Sequence, residues 1–188
     1  DILRNEEVWV PAHAVFHPVP RIMGKLFRTS TNGIASGNTY EEAVFHSLCE
    51  LIERDAWSLV EASQNAGPAI TDVTHPVARE LLDKFKEAGV DVILRDITSD
   101  LGIPTVAAVS DDLQLRDPTL LCIGMGSHLC SEIAILRALT EVAQSRATQI
   151  HGAREDTQST HFLSKVGYDR AKRLNKKAPC RKGQGALI

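Results

Sequence analysis

Residues 90–126 read VDVILRDITSDLGIPTVAAVSDDLQLRDPTLLCIGMG, and this stretch decides the fold class. It holds three β-rich runs, VDVILRDIT, IPTVAAVSD and LLCIGMG, set apart by short polar turns. Before it, HPVARELLDKFKEAG (75–89) has the marks of a helix, with Pro76 at its start and Gly89 at its end. After it, apolar spacing predicts a long helix from about Ser131 to His151. Strands and helices mix without strict alternation, which predicts an α+β fold with a mixed or mainly antiparallel sheet packed with two long helices.

The other long helix lies upstream. Thr39 suits an N-cap, with Glu42 at the third helical position as its reciprocal capping partner, and Val44, Leu48, Leu51, Ile52 and Leu59 recur at helical spacing to about Ala62. Nearer the N-terminus, EVWVPAHAVF (7–16) alternates and predicts a strand over Val8 to Val15, ended by Pro18 and Pro20. Downstream, GAREDTQSTHFL (152–163) reads as a polar connection, GYDRAKRLNKK (167–177) as a short basic helix, and the last residues as an irregular tail.

Composition narrows the function. The chain has 188 residues, 43% of them hydrophobic and 24% charged, enough for one core. A net charge of -3 offers neither a basic footprint for nucleic acid nor a polybasic membrane anchor. No apolar run is long enough to span a bilayer, and the first residues carry no secretory leader pattern. Cys49, Cys122, Cys130 and Cys180 are widely spaced with no CxxC pair, which argues against a zinc ribbon or disulfide framework and for a reducing, cytoplasmic setting.

Three features carry chemistry. NGIASGNTYEEA (32–43) places glycines and asparagines directly ahead of a helix N-terminus, where free N–H groups suit an anion; an ordinary loop has the same composition. In the helix that follows, Glu50 and Glu53 stand three apart, about 60° from each other around the axis. They read either as a solvated face, with Glu50 paired to Arg54, or as two oxygen ligands for Mg2+. In the last long helix Arg137, Glu141 and Gln144 form one polar stripe, with Arg146 close by. That stripe reads as a salt-bridged surface or as a guanidinium for phosphate beside a carboxylate for metal. His46, four residues before Glu50, is read as a packed or solvated histidine or as a metal or proton ligand. The GMGSHL stretch lacks the third glycine of a dinucleotide fingerprint and reads as a tight strand-to-helix turn.

With these residues in view, the sequence resembles the YcaO family. TNGIASGNTYEEAVFHSLCELIERDAW (31–57) is similar to that family's small-residue loop leading to Glu-x-x-Glu-Arg, and GMGSHLCSEIAILRALTEVAQSR (124–146) resembles its second block. The resemblance implies a partial YcaO-like domain over residues 1–178 with an irregular tail at 179–188. It also implies ATP and Mg2+ as cofactors and a peptide or protein substrate whose backbone carbonyl oxygen is phosphorylated before a nucleophile attacks. By the same resemblance, Glu50, Glu53, Glu141 and Gln144 would hold the metal, while Asn32, Ser36, Arg137 and Arg146 would lie along the nucleotide.

The runs SRATQIHGARED and HFLSKVGYDRAKRLNKK (145–156 and 161–177) are similar to the branch associated with TfuA proteins and with thioamidation of a glycine in methyl-coenzyme M reductase of methanogens. This implies a sulfide donor and a TfuA-like partner. Azoline-forming cyclodehydration is the alternative chemistry. A nonhydrolytic peptide-binding scaffold is the alternative from a different class, and oligomeric state is open.

Overall fold

The computed structural model describes residues 4–20, 24, 26–27, 29–151, 167–170 and 172. Its elements are α1 (Tyr40–Ser63), β1 (Ala69–Ile70), α2 (Pro76–Glu87), β2 (Val90–Asp96), β3 (Thr105–Asp112), β4 (Ile123–Ser127) and α3 (Ser131–His151). The helix ends follow local chemistry. Thr39 Oγ1 accepts the Glu42 N–H at 3.2 Å, and the Glu42 carboxylate accepts the Asn38 N–H at 2.6 Å, one residue ahead of the N-cap. α1 stops at Gln64, whose φ of 56° is left-handed, and α2 starts on a proline at its first turn.

The four strands form one antiparallel sheet in chain order, β1-β2-β3-β4, with Leu94 opposite Ala108 and Ala108 opposite Gly124. This is the α+β architecture that the spacing predicts. Period-two alternation sends Leu94, Val106 and Ala108 to one face, where they pack with Ala78 of α2 and with Ala134, Ala138, Leu139 and Val142 of α3. On the other face Ala107, Ile123 and Met125 pack with Ala56 and Val60 of α1. The sheet is thus sandwiched between α1 and the α2–α3 pair.

α3 lies close against β4 because both surfaces are small. A Cβ added at Gly126 would sit 2.3 Å from the Ala134 carbonyl oxygen, and one at Gly124 would sit 2.3 Å from that of Ala138. Both glycines lie inside β4. They permit close helix–strand packing and do not form the strand-to-helix turn that GMGSHL suggested.

The strand expected over Val8–Val15 does not form. Ala12–Ala14 make a short 3-10 turn instead, and Trp9 is fully exposed. A strand needs a hydrogen-bonded neighbour, and none of the described strands pairs with this segment, in which Pro11 also lacks an N–H. The polar connection at 152–163, most of the basic helix and the tail at 179–188 lie outside the described residues. Tyr168–Arg170, within that basic helix, is helical.

Candidate functional site

Among the described residues β4 is an edge strand, and α1 and α3 cover opposite faces of the sheet, so side chains from the two helices come near one another around that edge. α3 also satisfies the edge itself. Glu141 Oε2 accepts the Met125 N–H at 2.7 Å, and Ser145 Oγ donates to the Ile123 carbonyl at 3.4 Å. Glu141 is thereby held at the rim, close enough to Glu53 of α1 for its charge to raise the Glu53 carboxyl.

Glu53 is the focus of this arrangement. It is only 5% exposed, and its carboxyl is pushed up to about 7, first by burial and then by the Glu141 charge, with Arg54 and Arg137 opposing and Glu50 adding to the rise. Its cationic neighbours are loosely placed. Arg54 Nη2 lies 3.7 Å from Glu53 Oε1 and Arg54 Nε 3.9 Å from Glu50 Oε1, both beyond ordinary hydrogen-bond distance. Arg137 is near enough to lower both the Glu53 carboxyl and the adjacent Cys49 thiol. That thiol is nevertheless raised overall, chiefly by burial, which fits a packed cysteine better than a nucleophile.

The loop ahead of α1 is attached to the same face. Thr31 to Ile34 form a turn closed by an Ile34 N–H to Thr31 carbonyl bond of 3.0 Å, with Gly33 at a φ of 79° that favours glycine. The Gly33 N–H donates to Glu50 Oε2 at 3.2 Å, and the Gly33 carbonyl accepts from Ser47 Oγ at 2.7 Å. Further along, His46 Nδ1 lies 3.2 Å from the Ser36 carbonyl. His46 therefore helps to hold the loop.

The structure gathers Glu50, Glu53, Arg137 and Glu141 around one edge, with Asn32 and Ser36 exposed on the loop beside them. Gln144 is exposed on α3, one turn past Glu141. Arg146 is engaged elsewhere: its Nη2 donates to Asp112 Oδ2 at 2.9 Å and its Nη1 to the Leu120 carbonyl at 3.3 Å, in a largely buried pair. Burial would raise the Asp112 carboxyl, but the Leu115 and Gln114 N–H groups and Arg146 together hold it low.

The sequence reading did not single out Ser47 or the Met125 N–H. Ser47 precedes Glu50 by three residues on one helical face, a signal that was available. The Met125 partnership depends on which side of β4 is the free edge, and no local pattern encodes that.

As a donor set the site fits a small oxygen-seeking cation: three carboxylates, one of them buried and under-compensated. They are not an assembled cage. Among the described residues no three His, Cys, Asp or Glu side chains converge on one metal position, and Glu50 and Glu141 each have an oxygen engaged by a backbone N–H.

Comparison with known proteins bears on this geometry. A family model described as YcaO cyclodehydratase, ATP- and Mg2+-binding, matches residues 1–186, running into the stretch set apart as a tail. An uncharacterized protein of Methanothermobacter thermautotrophicus is 57% identical over 178 residues, covering 92% of this chain and 46% of that protein. An uncharacterized protein in the tfuA 3' region of Rhizobium leguminosarum bv. trifolii is 39% identical over 175 residues, covering 83% of this chain and 40% of that one. The solved structure of YcaO from Methanopyrus kandleri bound with AMPPCP and Mg2+ superposes with a TM-score of 0.80 at 32% identity, over 97% of this chain and 46% of that one. The chain spans less than half the length of each of these three.

Proposed function

The chain belongs to the YcaO family, and on that premise we propose that it carries nucleotide- and metal-binding elements of an ATP- and Mg2+-dependent enzyme acting on a peptide-backbone amide. One observation carries this reading: carboxylates from α1 and α3 meet around the β4 edge, with Glu53 buried and its carboxyl pushed up to about 7. Such a cluster is stabilised by a cation, and a cation there neutralises phosphate charge. Glu50, Glu53 and Glu141 would hold Mg2+, with Gln144 supporting them from the next turn. Asn32, Ser36 and Arg137 would lie along the nucleotide. Arg146, held by Asp112, would contribute by fixing α3.

When bound, Mg2+ supplies charge neutralisation for the transferred phosphoryl group. The chain's own residues do the positioning. The loop offers backbone N–H groups and the Asn32 amide, and Arg137 brings a planar donor to anionic oxygens. Glu53 itself is buried, so charges around it are felt more strongly than they would be in water. The amide carbonyl oxygen of the peptide would take the phosphoryl group and leave as phosphate after the nucleophile adds to carbon.

We assign the nucleophile to a sulfide equivalent, giving a thioamide. The supports are the resemblance of residues 145–156 and 161–177 and the relative from a tfuA 3' region. A TfuA-like protein and a sulfide donor are the partners this reading requires. The cysteine pattern, with Cys49, Cys122 and Cys130 free thiols, supports placing the activity in the cytoplasm. The family description favours cyclodehydration as the second reading.

The test is ATP turnover in the presence of peptide and sulfide. Turnover is expected to be lost in Glu50→Ala and in Glu141→Ala while the helical content is retained; undiminished turnover in both overturns the proposal. A peptide labelled with heavy oxygen at the backbone carbonyl should pass that label to phosphate. The product mass then separates the two chemistries, since sulfur for oxygen raises it and loss of water lowers it.

A further inference from the structure

Both polar groups of Gly33 are taken by one face of α1. The N–H goes to Glu50 Oε2 at 3.2 Å and the carbonyl to Ser47 Oγ at 2.7 Å, while Leu51 fills the side where a Cβ would stand, with its Cδ2 3.1 Å from that position. Ser47, Glu50 and Leu51 stand at i, i+3 and i+4 on the helix and so form a saddle for a single residue. The Ser47 hydroxyl has a local alternative, bonding back to the carbonyl one turn earlier, as Ser58 does with Arg54 at 2.8 Å. It reaches across to the loop instead.

We infer that Ser47 is a positioning residue that fixes the Gly33–Ile34 peptide, and through Gly33 the N–H aimed at Glu50, and so couples the loop that faces the nucleotide to the acidic face that faces the metal. The inference rests on the function proposed above. Without the hydroxyl, the Gly33 backbone keeps one hydrogen bond to α1, that to Glu50, which then has to serve both the Gly33 N–H and a cation. With it, Glu50 can turn toward a cation while the Gly33 carbonyl stays fixed. The loop therefore keeps its place when the metal arrives.

The test compares the unsubstituted chain with Ser47→Ala and with Ser47→Thr, which restores a hydroxyl. Amide hydrogen exchange over residues 33–38 is measured without nucleotide, and binding of a nonhydrolysable ATP analogue is measured by calorimetry over a range of Mg2+ concentrations. Removing one neutral hydrogen bond of this kind is expected to weaken analogue binding roughly fivefold to tenfold. Exchange in the loop should quicken by a similar factor, the Mg2+ midpoint should move to higher concentration, and the thermal midpoint should stay near that of the unsubstituted chain. Ser47→Thr should recover both exchange and binding.

Unchanged loop exchange in Ser47→Ala overturns the clamp. Quickened exchange with unchanged analogue binding overturns its positioning role while leaving the proposed function intact. A chain that shows the clamp by exchange but binds no analogue in any variant overturns the proposed function, and the positioning role with it.

Discussion

Replacing Glu53 with glutamine tests the electrostatic reading of the site without reference to any ligand. Folding raises this carboxyl from an ordinary 4.5 to about 7, first through burial and then through Glu141. Between those two values the native chain holds a proton that the unfolded chain has lost. Stability therefore falls as pH rises through that window and stays lower above it. The difference, about 7 less 4.5, is 2.5 units, which corresponds to an effect on the order of 3 kcal/mol. Glu53→Gln keeps the shape and removes the titration. The variant should match the parent near pH 4.5 and exceed its stability by ~2–3 kcal/mol at a pH of about 8. The assay is guanidinium unfolding in chelator across that pH range, read as the difference between the two proteins so that other carboxylates cancel. Adding Mg2+ at the higher pH should then stabilise the parent and leave the variant nearly unchanged, since a ligand stabilises only the state that binds it. A variant that is less stable than the parent above neutral pH, or that keeps the parent's pH slope, refutes the reasoning.

Three further outcomes follow from the packing. Gly126→Ala puts a Cβ 2.3 Å from the Ala134 carbonyl oxygen and should cost about 3 kcal/mol by forcing α3 off β4; a thermal midpoint equal to the parent's would show that the interface yields freely. Arg146→Ala leaves Asp112 buried without its ion partner and should lower unfolding stability by ~3 kcal/mol, whereas lost analogue binding at full stability would move this arginine to the nucleotide. Thr39→Ala removes the side-chain cap on the Glu42 N–H and should destabilise by ~1 kcal/mol in chemical unfolding.

Much of this was legible in the sequence because it is written in local chemistry. The Thr39 cap, Pro76 at a helix start and Gly89 after its end bound helices that occur within a residue or two of the expected limits. The three β-rich runs are β2, β3 and β4. Glu50 and Glu53 on one helical face followed from spacing alone. What could not be read is non-local. The Val8–Val15 segment has strand composition but no described partner, and pairing decides whether such a segment becomes a strand. The Gly124 and Gly126 pair suggested a turn because a sequence does not say which backbone will approach a glycine; here it is α3. Arg146 shares a helix with Arg137, yet its charge is taken by Asp112, thirty-four positions earlier. The approach of α1 and α3 side chains at β4 likewise needs the strand order, which makes β4 the edge among the described strands.

The most direct test of the central claim is calorimetric titration of ATP with Mg2+ into this chain, repeated with chelator and with the Glu50→Ala/Glu141→Ala double variant. The account predicts saturable binding that requires Mg2+ and disappears in the double variant while the fold persists. Absence of binding by a folded chain, or binding of equal strength with both carboxylates removed, would contradict it.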